Sequence, residues 1–187
     1  MQLPENIRRL FLAVDAPNNA SEFIELNSPI FYQHTIKWMR IKNLHLTVYF
    51  IGNTEANKYD EIFNLSKEII SNYSNFTIYP DKICLMPSIH PRMIWIKYKI
   101  HPLFTELNHT LHHALKKFKL QSNQFYKEPI PHITLARFSR LKEEIKISQF
   151  RDIAPEPIQI KEVKLWETIS SNTSSDYNKS KNVIILK

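Results

Sequence analysis

The chain has 187 residues, 43% of them hydrophobic, and a formal net charge of +7, which is enough apolar material for one compact domain. The single glycine, Gly52, excludes the glycine-rich loops of Walker-type NTPases and Rossmann dehydrogenases, so any phosphate bound here is held by side chains. One cysteine, Cys84, excludes an intramolecular disulfide, and no apolar run approaches the roughly 18 residues that span a bilayer.

Arg9 to Val14 reads as an opening strand and Asn19 to Phe31 as a helix, after the turn Pro17-Asn18-Asn19. Ile36 to Arg40 and Leu44 to Ile51 follow as strands, the second ending at Gly52-Asn53. From Glu55 to Ile70 apolar residues recur near helical spacing. Phe76 to Met86 and Met93 to Ile100 are β-rich, the latter alternating Ile94, Ile96, Tyr98 and Ile100 on one face. His101 to Phe118 carries Leu103, Leu107, Leu111 and Leu115 on a helical stripe. Ile130 to Phe138 reads as a strand, Leu141 to Phe150 as a short helix, and Pro157 to Ser170 and Val183 to Leu186 as closing strands. The polar stretch Ser170 to Asn182 reads as a loop. Short links between strands favour antiparallel pairing, hence an α+β fold.

Two of these strands carry the same string, Leu44-His45-Leu46-Thr47-Val48 and Pro131-His132-Ile133-Thr134-Leu135, set 87 positions apart. Successive side chains on a strand point to opposite faces, so each His projects with its Thr while the residues between them pack behind. The composition alone yields about 0.4 such triplets, so the weight rests on both lying in apolar strands and on the spacing, which suggests two similar halves. Paired imidazoles suit a reaction in which one proton is removed and another delivered, as in phosphodiester hydrolysis. The threonine hydroxyls suit the non-bridging oxygens, where charge develops.

These blocks resemble the 2H phosphoesterase superfamily, named for two His-x-Thr/Ser-x motifs, and within it the LigT-like RNA 2′,3′-cyclic phosphodiesterases, historically called 2′-5′ RNA ligases. Arg9-Leu10-Phe11-Leu12-Ala13-Val14-Asp15 is similar to that family's opening strand, and Trp38-Met39-Arg40 leads into Asn43-Leu44-His45-Leu46-Thr47 as in its members. Pro131 to Arg137 is similar to the second motif almost residue for residue. The resemblance implies a bilobal, pseudo-twofold α+β fold with two mostly antiparallel sheets, helices outside and a central cleft, residues 1–187 forming a single domain of two interleaved lobes. It also implies hydrolysis of RNA 2′,3′-cyclic phosphate ends to 2′-phosphates without a cofactor. His45 would serve as general acid and His132 as general base, although a near-symmetric site leaves these roles exchangeable. Thr47 and Thr134 would hold the phosphate.

Two residues five positions beyond the histidines are further candidates. Arg137 offers a phosphate contact, as in the family, or a surface salt bridge, since simple alternation puts it on the face opposite His132 unless the strand twists or bulges. Phe50 offers a stacking surface for a base, or a core contact. The segment Ile83 to Arg92 departs from the family, which has glycines before a Phe-Pro turn there, so the natural substrate is less securely implied than the reaction type.

Other readings remain. His109, His112 and His113 lie at i, i+3 and i+4 beside Glu106, but without a His-Glu-x-x-His arrangement they read as a solvated helix face, and no metal is expected. The charge, with a pI near 9.4, favours a polyanionic partner or simply reflects a basic composition. A basic module that binds RNA ends without turnover, or a phosphodiesterase for another small cyclic phosphate or a 2′-5′ linkage, are the alternatives. The leading expectation is a cytoplasmic monomer, with no signal-peptide plan and no membrane partner, acting on RNA or a nucleotide with a cyclic phosphate end.

Overall fold

The computed structural model describes residues 4–30, 36–121, 125–138, 146–151, 153–170 and 175–187. Its elements are β1 (Ile7–Asp15), α1 (Asn19–Asn27), β2 (Ile36–Trp38), β3 (His45–Glu55), α2 (Tyr59–Ile70), β4 (Phe76–Ile78), β5 (Pro80–Met86), β6 (Met93–Tyr98), α3 (Pro102–Leu115), β7 (His132–Phe138), β8 (Ile158–Ile160), β9 (Glu162–Ser170) and β10 (Ser175–Ile185). Eight strands form one sheet in the order β10-β9-β1-β3-β7-β6-β5, with β2 also on β7, while β4 and β8 form a second, two-stranded sheet. The pairings among the described residues are all antiparallel.

The large sheet has an internal twofold pattern: β9-β1-β3 on one side is mirrored by β7-β6-β5 on the other. Its two halves meet where β3 and β7 share the ladder pair Leu46↔Ile133, two fully buried side chains. The helices cross over this join. α1 follows β1 but packs on β7, and α3 follows β6 but packs on β3 and α2. Each half thus covers part of the other, and the fold is α+β and bilobal.

The helices are set by their apolar stripes. Pro102 opens α3, where its missing N–H costs nothing and its fixed φ suits the first turn. Phe104, Leu107, Leu111 and Leu115 are then at most 1% exposed, so truncating one of these leucines to alanine costs about 2–5 kcal/mol. β1 is apolar on both faces: Leu10, Leu12 and Val14 enter the main core, while Phe11 and Ala13 join Trp166 in a small cluster with Tyr177 packed against it.

Several segments differ from the sequence reading, among them Pro157 to Ser170, which is two strands, β8 and β9, in different sheets. α1 stops at Asn27, short of Phe31, because Pro29 has no N–H to continue the ladder; Phe31 itself lies outside the described residues. β3 runs through Gly52 to Glu55, since the glycine takes φ +93° inside a strand irregularity and does not open a turn. A Cβ at Gly52 would meet only the Phe50 ring, at 3.7 Å, so it is the backbone conformation that favours glycine there. The segment Phe76 to Met86 is two strands in different sheets, divided at Tyr79. Residues 175–182, read as loop, belong to β10: Ser175 to Lys179 pair with β9, and the next three residues fall in a register shift before Val183. Most of the helix expected from Leu141 lies outside the described residues, and Ile147–Gln149 is a 3-10 turn.

Candidate active site

The two His-x-Thr strings form one site because their strands are the two central ones. Leu46 and Ile133 oppose each other in the core, so the residues on either side of each point to the other face. The antiparallel direction carries His45 towards Thr134 and Thr47 towards His132. All four are half-buried.

Each histidine is held by the same local device. The Nδ1–H of His45 donates to the carbonyl of Asn43 at 2.7 Å, and that of His132 to the carbonyl of Ile130 at 2.8 Å, in both cases two residues back along the chain. A carbonyl accepts only, so the tautomer is fixed and Nε2 on the other edge of each ring is left to exchange a proton.

Beyond the threonines the two strands again do the same thing. The β1–β3 register steps from Ala13↔Thr47 to Leu12↔Tyr49, leaving Val48 as an extra residue. The β6–β7 register steps from Trp95↔Thr134 to Ile94↔Ala136, leaving Leu135 extra. An inserted residue reverses the alternation beyond it, and the residues five positions after each histidine, Phe50 and Arg137, come out exposed on the site's face. The side to which Arg137 projects is therefore set by the bulge. Its charge reaches both histidines, and its guanidinium donates to Met93 Sδ at 3.4 Å, with no salt bridge among the described residues. Phe50, 40% exposed, is not a core residue.

The surroundings of the two rings differ. His45 sits among Phe11 and Trp166, each 4.9 Å away between ring centres, and Tyr177 at 5.2 Å. His132 stacks on one ring, Trp95, at 3.6 Å and 17°. Burial pushes His45 down from 6.5 to about 4, against the bond to Asn43, and the charges of His132, Lys179 and Arg137 lower it further. Burial also pushes His132 below the usual range, with Arg137 adding to the effect. Both rings are therefore neutral at pH 7 in the free protein. Asp15, opposite His45 in the register, binds Lys164 and Lys179 at 2.6 Å each and ties β9 and β10 to this corner.

A cavity of about 620 Å³ opens beside the pair. Thr47, His132, Trp95 and Phe50 line it, together with Tyr49, Phe104, Asn108, His112 and Tyr126. His112, half-buried on α3, also lines this cavity, and its Nδ1 lies 3.4 Å from the Tyr49 hydroxyl. Asn108 Nδ2 donates to the carbonyl of Val48 at 2.7 Å, so α3 supports the bulged segment of β3. Met86, within the family-divergent segment, and Met93, which follows it, also line the cavity. Among the described residues no group of three or more His, Cys, Asp or Glu side chains is placed to hold a metal ion.

The family model of the 2′-5′ RNA ligase superfamily matches residues 21–172. The chain belongs to the 2′-5′ RNA ligase superfamily. Among similar members, an RNA 2′,3′-cyclic phosphodiesterase of Methanocaldococcus jannaschii is 31% identical over 173 residues, 86% of this chain and 91% of that one. One of Archaeoglobus fulgidus is 27% identical over 142 residues, 73% and 76% of the respective chains. In fold, apo LigT of E. coli superposes with a TM-score of 0.69 at 22% identity, covering 97% of this chain and 99% of that one. Within this superfamily fold, that each His projects with its Thr was legible from the spacing and the apolar strand context of the two strings. Trp95 was legible too, on the strand face opposite Ile94 and Ile96, but the reading followed only the apolar face. Tyr177 carried no signal, because its strand is written in serine, asparagine and lysine.

Proposed function

We propose that this protein hydrolyses the 2′,3′-cyclic phosphate at an RNA end to a 2′-phosphate, using His45 and His132 as an acid–base pair without a metal. The observation that carries this reading is the matched tie of the two Nδ1 atoms to their own strands, which leaves two Nε2 atoms of fixed tautomer on paired strands. One Nε2 takes a proton from water as its oxygen attacks phosphorus, and the other, protonated, gives its proton to the ribose 3′-oxygen as the P–O bond breaks. Whichever ring faces the leaving oxygen is the acid. An arriving phosphate anion favours the imidazolium, which offsets the desolvation that keeps both rings neutral in the free protein. The Thr47 and Thr134 hydroxyls donate to the non-bridging oxygens, where negative charge grows, and Arg137 neutralises part of it. The terminal nucleoside occupies the aromatic-lined cavity beside His132.

The names of the superfamily relatives support the reaction, and the E. coli LigT complexed with 3′-AMP supports a nucleotide as ligand. The test is incubation with an oligonucleotide ending in a 2′,3′-cyclic phosphate, with the product identified by phosphorus NMR. A 2′-phosphate is expected, and His45→Ala and His132→Ala should each cut kcat/KM by about 10²–10⁴-fold. Binding without turnover would make the chain an RNA-end-binding module, and loss on EDTA treatment with recovery on zinc would contradict the two-histidine chemistry.

A further inference from the structure

Phe50 is a wall of two depressions. On one side it faces the cavity of His132 and Thr47, and on the other a small polar one of about 100 Å³ lined by Arg9, Asn53 and Lys119 among others. The Arg9 guanidinium lies 5.2 Å from the centre of the Phe50 ring and the Lys119 amine 5.9 Å from it. Lys119 is held in place: its amine donates to the Phe50 carbonyl at 2.8 Å and lies 5.1 Å from the Tyr49 ring, while the next residue, Leu120, bonds the Asn53 carbonyl through its N–H at 3.0 Å. Among the described residues neither Arg9 nor Lys119 makes a salt bridge, whereas the neighbouring Arg8 is paired with Glu167 at 2.8 Å. An exposed aromatic ring beside two cations that have no carboxylate partner among the described residues matches the chemistry of a single nucleic-acid strand, which stacks bases and carries regularly spaced phosphates.

We propose that Arg9, Phe50 and Lys119 form a second nucleotide subsite, which binds an internal phosphodiester of the RNA strand whose end occupies the His45–His132 site. The inference rests on the proposed function and deepens it, since it makes an oligonucleotide the preferred substrate over a mononucleotide. The strand β3 provides the connection, because Thr47 and Phe50 share its cleft face only three residues apart, about 10 Å at the usual rise. Burial pushes the Lys119 amine down to about 8, a cost that a phosphate partner would offset.

The test compares a mononucleoside 2′,3′-cyclic phosphate with a pentanucleotide ending in the same group, on wild type and on the double variant Arg9→Gln, Lys119→Gln, with melting temperature as the folding control. Wild type should prefer the pentanucleotide, and the variant should lose about tenfold in kcat/KM on it while staying within about twofold on the mononucleotide. The slope of log affinity against log salt for the pentanucleotide should become shallower by about 0.7 for each phosphate contact removed. Equal losses on both substrates, or no loss on either, would overturn the subsite. If wild type hydrolyses neither substrate, the proposed reaction fails separately, and fluorescence anisotropy with a 3′-phosphorylated pentanucleotide decides the subsite: about tenfold weaker binding by the variant supports it, and unchanged binding overturns it.

Discussion

The His45 arm and the His132 arm are the same backbone written twice and dressed differently. Both tie Nδ1 to a carbonyl two residues back, both project a threonine beside the histidine, and both bulge one residue later so that the fifth residue onward returns to the cleft. The bulged residue is Val48 in one and Leu135 in the other, and the returning side chains are Phe50 and Arg137. Around this common device, His45 is enclosed by Phe11, Trp166 and Tyr177, while His132 stacks, among the described residues, on Trp95 and lines the cavity. The shared device presents two Nε2 atoms in matched local geometry. The differing surroundings make one arm a sheltered imidazole with Phe50 beyond it, and the other a cavity-facing imidazole with Arg137 beyond it.

If the device is shared, the two hydroxyls should matter alike. Thr47→Val and Thr134→Val keep the branched shape and remove only the donor, so each should lower kcat by about 10²-fold with the fold intact, as measured by turnover and melting temperature. A loss confined to one of them would break the symmetry at the phosphate.

If the surroundings divide the roles, changing the enclosure should act on one ring. Tyr177→Leu admits water to His45 and should raise its pKa towards 6.5 with little change at His132, while Trp95→Leu should do the reverse; histidine NMR titration of each variant reads both rings. Activity losses of about tenfold are expected for either variant, the scale of a misplaced general acid or base that is still present. Because both pKa values in the free protein lie below 6.5, the kcat/KM profile should be bell-shaped and displaced to the acid side of that value.

The smallest effect is on stability. His45 protonates near pH 4 when folded but near 6.5 when unfolded, so its contribution is present above 6.5 and is lost as pH falls towards 4. His45→Gln should therefore flatten the fall in melting temperature between pH 6.5 and 4, and an unchanged fall would place the acid sensitivity elsewhere.

Much of this arrangement was legible in the sequence where spacing carries it. The motif pairs, the opening strand and the leucine stripe of α3 all follow from periods of two or near four, which depend on local geometry alone. The side chosen by Arg137 was not settled, because the extra residue at Leu135 is a property of pairing with β6 and leaves no composition signal. The position of Tyr177 was hidden for a similar reason: a polar edge strand forms when β9 offers it a ladder, and Lys164 and Lys179 meet on Asp15 only once the three strands are side by side. β3 was read as ending at Gly52-Asn53 because a glycine that ends a strand and one that eases a bulge look the same in one dimension.

The central claim is that two separate strings make one acid–base unit. The direct measurement is kcat for hydrolysis of a cyclic-phosphate-ended oligonucleotide by wild type, His45→Ala, His132→Ala and the double variant. Groups that act as a unit are non-additive, so the double variant should be no more than about threefold slower than the slower single one. Losses that multiply across the two substitutions, or a single variant that retains near-wild-type turnover, would contradict it.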